Sequence, residues 1–175
     1  MDKYAVIGNP IGHSKSPKIH RLFGEQLGHK ITYEKLEATE NTFSAVVEEF
    51  FCSGGKGVNV TLPFKGLAYE FSDVLGAHAK NCGAVNTLSF SEDGRVYGES
   101  TDGVGLITDL KNNNITIKGR SVLVIGAGGT AKSILPSIIE MSPKTIALTN
   151  RTKKNAESLR GAFLHLFQID CILGE

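Results

Sequence analysis

Several features that would announce a particular class of protein are missing from this 175-residue chain. No apolar run approaches the roughly 20 residues needed to cross a bilayer, which argues against a membrane span. Lysine and arginine number 19 against 18 acidic residues, a net charge of +1. That balance gives no electrostatic footprint for nucleic acid or an acidic membrane surface. The three cysteines, Cys52, Cys82 and Cys171, include no CxxC pair and are an odd number. They read as buried, reduced thiols, which fits a cytoplasmic protein. His13, His20, His29 and His78 are scattered at no metal-ligand spacing, so no metal is expected. The opening run Met1 to Ile7 lacks the long apolar stretch of a signal peptide and reads directly as a strand.

What is present is 41% hydrophobic and 21% charged residues, the composition of an ordinary globular protein, and 20 glycines, many at strand-to-turn transitions. Tyr4 to Gly8 predicts a strand running into a Gly-Asn-Pro loop. From Pro17 to Leu27, Ile19, Leu22, Phe23, Gln26 and Leu27 recur at helical spacing. Ser14 or Ser16 is expected as the N-cap, with Pro17 opening the helix. Ile31 to Leu36 alternates as a strand. Asn41 is a plausible N-cap for a helix carrying Phe43, Val46, Val47 and Phe50, and Gly57 to Thr61 forms the next strand. A helical stretch from about 64 to 80 has a weak point near Ser72. Val85 to Phe90 and Arg95 to Tyr97, separated by Glu92-Asp93-Gly94, predict a hairpin. After a helix over 104–112, Ser121 to Ile125 reads as a buried parallel strand. A helix through Met141, a strand over Thr145 to Thr149 and a helix over 152–167 follow. Ile169 to Leu173 begins a third strand.

This alternation predicts an α/β fold. An N-terminal α/β substrate domain with a mostly parallel sheet occupies 1–103. The first part of a Rossmann-type dinucleotide-binding domain occupies 104–175. Such a domain has about six strands, so the second one is expected to be incomplete.

Val122-Leu123-Val124-Ile125 leads into Gly126-Ala127-Gly128-Gly129-Thr130-Ala131, a strand, a glycine turn and a helix start in the order a dinucleotide site requires. The glycines let the backbone approach a pyrophosphate seated on the helix N-terminus. The end of the next strand then selects the cofactor. An acidic residue there accepts hydrogen bonds from the ribose 2′-OH of NAD. Here the positions read Asn150-Arg151-Thr152-Lys153-Lys154-Asn155, with no carboxylate and three cations. Arg151 can grip a 2′-phosphate bidentately and Lys154 can add charge, so NADP is favoured.

Four segments in the first hundred residues carry polar residues that the fold alone does not demand. They are GNPIGHSKSP (8–17), NVTLPFK (59–65), GAVNT (83–87) and GESTDG (98–103). With GAGGTA and NRT, these motifs resemble shikimate dehydrogenase in order and in spacing, over residues 1 to about 160. The resemblance implies NADP-dependent, reversible reduction of 3-dehydroshikimate to shikimate, a step toward aromatic amino acids. It also implies a two-domain enzyme with the substrate and nicotinamide meeting in a cleft. By position, Ser14 and Ser16 match the hydroxyls that hold the substrate carboxylate, and Lys65 matches the catalytic lysine. Asn59, Thr61, Asn86 and Asp102 match polar groups on the substrate's hydroxyl side. Gly126, Ala127, Gly128, Gly129 and Thr130, with Asn150, Arg151, Thr152, Lys154 and Asn155, match the cofactor-binding segments.

The chemistry agrees with these roles. A small polyhydroxy acid needs directional hydrogen bonds, which Ser, Thr, Asn and Asp supply without bulk. Reducing a ketone needs a proton for the developing alkoxide, and Lys65 with Asp102 can provide and recover it. The partners implied are small molecules, with neither nucleic acid nor membrane among them; a homodimer stays open. Ser100 stands where the family commonly has Asn, and Asn155 where an arginine often follows NRT. The resemblance further implies later residues that contact the nicotinamide and return to the substrate domain, so this chain is expected to have little activity alone. Two alternatives stay open: a quinate/shikimate dehydrogenase of broader specificity, and a ligand-binding fragment without turnover.

Overall fold

The computed structural model describes residues 1–172, so Leu173, the last residue of the third strand expected in the cofactor half, lies outside the described residues. The chain divides into two compact units, one of Met1–Lys80 and Ala84–Ser100, the other of Asn81–Gly83 and Thr101 onward. No described helix is long and apolar enough to cross a membrane.

The first unit begins with β1 (Asp2–Gly8), α1 (Ser16–Gln26), β2 (Ile31–Glu37), α2 (Phe43–Cys52) and β3 (Gly55–Val60). It continues with α3 (Lys65–Phe71), β4 (Val74–Leu75), α4 (Ala77–Cys82, whose last two residues group with the second unit), β5 (Thr87–Phe90) and β6 (Val96–Glu99). The sheet order is β2-β1-β3-β5-β6-β4. β1 pairs in parallel with both β2 and β3, whereas β5 runs antiparallel to β3 and β6. Alternation along the strands aims Ala5, Ile7, Val58, Val60 and Leu88 at one core. Phe43, Val47 and Phe50 of α2 and Phe64 close it. At the edge, β2 carries Glu34, Lys35 and Glu37, all exposed.

Two local expectations, both at helix caps, change. Thr42, rather than Asn41, occupies the N-cap of α2, because the chain makes a turn from Thr39 in which the Thr42 hydroxyl accepts the Thr39 N–H at 2.9 Å. At α1 the cap position is Lys15; Ser14 Oγ accepts the Ser16 N–H at 3.3 Å, one residue earlier than a standard cap. The stretch from 64 to 80 is two short helices with β4 between them. The break falls at the expected weak point, Ser72, whose backbone turns extended while its hydroxyl donates to Ala68 O at 2.7 Å. Of the cysteines, Cys82 is buried and Cys171 half-buried, but Cys52 is exposed at the end of α2, and all three are free thiols.

The second unit holds α5 (Asp102–Asn112), β7 (Ser121–Ile125), α6 (Gly129–Glu140), β8 (Thr145–Thr149), α7 (Lys153–Phe163) and β9 (Ile169–Cys171). Its three strands are all parallel, in the order β7-β8-β9. Val124, Ile146, Leu148 and Ile169 meet Leu135 and Ile138 of α6 and Leu159 and Phe163 of α7 on one face. The alternate residues of β7 face the other way, and Leu123 and Ile125 are 55% and 80% exposed.

Candidate active site

In an α/β sheet the ligand end is where parallel strands finish, and in the first unit the motif residues gather there. β1 ends at Gly8, β3 at Val60 and β6 at Glu99, while the antiparallel β5 starts at Thr87. Backbone hydrogen bonds lace these ends together. Thr61 N–H donates to Ile7 O and Asn9 N–H to Leu62 O, both at 3.0 Å. Val60 N–H donates to Asn86 O at 2.7 Å, and Val85 N–H to Lys65 O at 3.0 Å. The approach of β1 to the 61–62 segment is close enough that a Cβ on Gly8 would sit 2.6 Å from Thr61 Cγ2 and 3.1 Å from Leu62 O. Only glycine fits there. The peptide bonds Asn9-Pro10 and Leu62-Pro63 are both cis.

The loop bearing Ser14 and Ser16 is fastened at several points. Asn9 Nδ2 donates to Ala38 O at 2.8 Å, Lys35 Nζ donates to Gly12 O, and Ile11 is buried beneath. Both serines stay half-buried. Lys65 opens α3 and is 8% exposed, and Asn86 is 9% exposed; ionisable and amide groups so deeply placed are held for a reason. Asn59 and Thr61 are half-buried. The first unit therefore brings Ser14, Ser16, Asn59, Thr61, Lys65 and Asn86 to one end of its sheet. Asp102 belongs to the second unit, half-buried in the first turn of α5, where the helix dipole favours an acidic side chain.

A hydrogen-bonded row with no signature in the sequence orients two of these residues. Tyr33 Oη donates to Asn59 Oδ1 at 2.6 Å, Asn59 Nδ2 donates to Thr87 Oγ1 at 3.3 Å, and Thr87 Oγ1 donates to Asn86 Oδ1 at 3.0 Å. His20 stacks on Tyr33 with ring centroids 4.4 Å apart. Burial pushes the Tyr33 phenol far above its ordinary value, so it stays a donor, and burial lowers the His20 imidazole. Periodicity does not reveal Tyr33, because a lone tyrosine in an alternating strand looks like half-buried packing.

In the second unit the glycine turn has the geometry that a phosphate cradle requires. Gly126 has φ +112°, open only to glycine. Among the described residues no side chain at the N-cap closes the start of α6, which leaves its first N–H groups for an external acceptor. Asn150 steadies the turn: its Oδ1 accepts the Ala127 N–H at 3.2 Å and its Nδ2 donates to Thr152 O at 2.9 Å. Ala127, Gly128, Gly129, Lys132 and Asn155 line a groove of roughly 310 Å³. Arg151, Thr152 and Lys154 are exposed beside Asn150. Lys153 pairs with Glu157 at 3.8 Å. Among the described residues 150–155 no carboxylate appears, so the site fits a dinucleotide carrying a 2′-phosphate. Lys132 is not marked out by any of the motifs; a cation in the second turn after a glycine loop is the available signal. No group of three or more His, Cys, Asp or Glu that could hold a metal occurs among the described residues.

A glycine turn between parallel strands and a helix start left open make the second unit Rossmann-type, joined to a separate α/β unit whose polar residues collect at one sheet end. Residues 6–88 match the family described as the shikimate dehydrogenase substrate binding domain, and 109–171 match shikimate / quinate 5-dehydrogenase. The chain belongs to the shikimate dehydrogenase family. It is 49% identical to the shikimate dehydrogenase (NADP(+)) of Halorhodospira halophila over 91% of this chain and 60% of that protein. The shikimate dehydrogenase of Aquifex aeolicus superimposes with a TM-score of 0.88 at 32% identity, covering 98% of this chain and 62% of the other. The shikimate 5-dehydrogenase of Thermus thermophilus, solved in complex with NADP(H) and shikimate, gives 0.85 at 31% identity, covering 98% and 63%. The chain thus spans about three fifths of the length of the relatives it matches.

Proposed function

We propose that this chain binds shikimate and 3-dehydroshikimate through its first unit and NADP(H) through its second, and that it supplies the acid–base groups for their interconversion. In this reading 1–103 is the substrate domain and 104–175 the NADP-binding domain. The observation that carries it is the convergence of Ser14, Ser16, Asn59, Thr61, Lys65 and Asn86 at one sheet end, fastened by backbone hydrogen bonds. Ser14 and Ser16 hold the substrate carboxylate. Asn59, Thr61 and Asn86 bind its hydroxyl groups, with the two carboxamides already oriented by Tyr33 and Thr87.

NADPH, when bound, supplies the hydride for the C3 carbonyl. Gly126 to Thr130 hold its diphosphate on the N-terminus of α6, Asn150 and Asn155 border the groove, and Arg151, Thr152 and Lys154 take the 2′-phosphate. Lys65 Nζ donates the proton that the C3 oxygen needs on reduction and recovers it on oxidation. Asp102 is the second acid–base residue that the resemblance to the family implies. We assign the chain to the cytoplasm on the strength of its family's reaction and its free thiols.

The test is calorimetric titration of the 175-residue chain with shikimate, NADP and NAD, beside an NADPH-oxidation assay with 3-dehydroshikimate. Shikimate and NADP should bind, NADP more tightly than NAD. Turnover should fall well below the usual range of about 1–10³ s⁻¹. A hydride moves only when its carbons are held about 3–3.5 Å apart, and the described residues supply three parallel strands where a dinucleotide-binding domain has about six. Absence of shikimate binding refutes the reading. Because the second matching family is described as acting on shikimate or quinate, quinate is the competitor to titrate.

A further inference from the structure

We propose that Lys132 is a positioning residue: it ties the segment leading to Asn86 to the cofactor turn, so that NADP orders Val85 and Asn86. The proposal rests on the NADP assignment above. Lys132 lies in the second turn of α6, three residues after Gly129, and is half-buried. A cation near a helix N-terminus opposes the macrodipole. The group its Nζ meets is a main-chain carbonyl, Gly83 O, at 2.8 Å. Gly83 belongs to the short segment Asn81–Gly83 that clusters with the second unit. Its φ of +61° and the 3.1 Å between a notional Cβ and Lys132 Nζ show how closely the lysine is laid against it.

One residue later the chain re-enters the first unit at Ala84. Val85 N–H then donates to Lys65 O and Asn86 N–H to Glu99 O, both at 3.0 Å. The tether is therefore three residues from the Asn86 carboxamide and two from the backbone contact with Lys65.

Lys132 also lines the groove with Gly128 and Gly129, the place where the diphosphate is expected. An ammonium has three donor hydrogens, so one lysine can hold the Gly83 carbonyl and a phosphate oxygen together. Each acceptor restrains the side chain and lowers the entropic cost of engaging the other, which is positive coupling without any rearrangement. The cation's unfavourable place on the helix dipole is relieved by the same anion. Structure alone would be served by an uncharged residue here.

Amide hydrogen exchange on the 175-residue chain, with and without NADP, tests this. NADP is expected to slow exchange at Val85 and Asn86 at least about fivefold in the parent. In Lys132→Met, NADP should still protect amides of 128–131, but the slowing at Val85 and Asn86 should shrink below about twofold. Lys132→Arg should restore it, and Lys132→Gln serves in place of the methionine variant if that one is poorly folded. Undiminished slowing in the methionine or glutamine variant, or no restoration by arginine, overturns the coupling. If NADP protects no amide of 126–131 even in the parent, the cofactor assignment itself fails and the coupling falls with it.

Discussion

Glu99 and Ser100 sit side by side and should respond to truncation in opposite ways. Glu99 Oε1 accepts the N–H groups of Ala79 at 3.1 Å and of Ser100 at 2.7 Å, satisfying one amide in the first turns of α4 and one in the loop beyond β6. Glu99→Ala leaves both without that acceptor, and chemical denaturation should show a loss of about 1–3 kcal/mol. Ser100 is 2% exposed, and its Oγ has no hydrogen-bond partner among the described residues. Ser100→Ala removes a buried hydroxyl that returns nothing, so it should leave stability unchanged or raise it by up to about 1 kcal/mol. His20 adds a pH dependence. Its folded value is lowered by burial from about 6.5, so the unfolded chain takes up the proton first as acid is added. The contribution of the neutral ring is complete above about pH 6.5 and is lost as pH falls toward the folded value. Denaturation midpoints from about pH 7.5 to 5 should show this, and His20→Phe should flatten the difference. A slope of the same size in His20→Phe would point to another group.

At the scale of elements, the order of strands and helices was legible because apolar periodicity and glycine punctuation agree along the chain. Val122 to Ile125 followed by the glycine turn, for example, fixes both a parallel strand and its helix. Less legible were one local turn and the features decided by partners remote in sequence. Thr42 takes the α2 cap because its hydroxyl closes a turn with Thr39. The weak point near Ser72 was readable, but the short strand beyond it was not, because Val74 and Leu75 pair with the distant Tyr97 and Gly98. The motifs that gather at the sheet end could be picked out from order and spacing, but the Tyr33–Asn59–Thr87–Asn86 row could not, since its members come from β2, β3, β5 and the loop before β5. Tyr33→Phe tests what that row contributes. It should weaken shikimate binding about 5- to 30-fold, measured by calorimetry, while changing NADP affinity little; that range corresponds to about 1–2 kcal/mol for one buried donor removed from an amide acceptor. On the other unit, Arg151→Ala at the end of β8 should bring the affinities for NADP and NAD together, as titration of both would show.

Across the whole molecule, each unit leaves apolar surface bare. On α1 and at its C-cap, Ile19, Leu22, Phe23 and Leu27 are 44%, 44%, 52% and 72% exposed, and on β7 Leu123 and Ile125 are more exposed still on average. An environment-sensitive dye such as ANS should therefore bind the folded chain, and Leu22→Lys with Phe23→Lys should reduce the signal. The two sheets end differently as well. β2 at the rim of the first sheet carries three exposed charges, whereas β7 at the rim of the second reads Ser-Val-Leu-Val-Ile without any. Charges on a border strand repel a second copy; a short, uncharged, branched run invites one to add by backbone hydrogen bonding. β7 is then the strand expected to limit how long concentrated protein keeps. Thioflavin-positive fibrils should form at a rate that climbs with concentration, and Leu123→Lys should lengthen the lag several-fold.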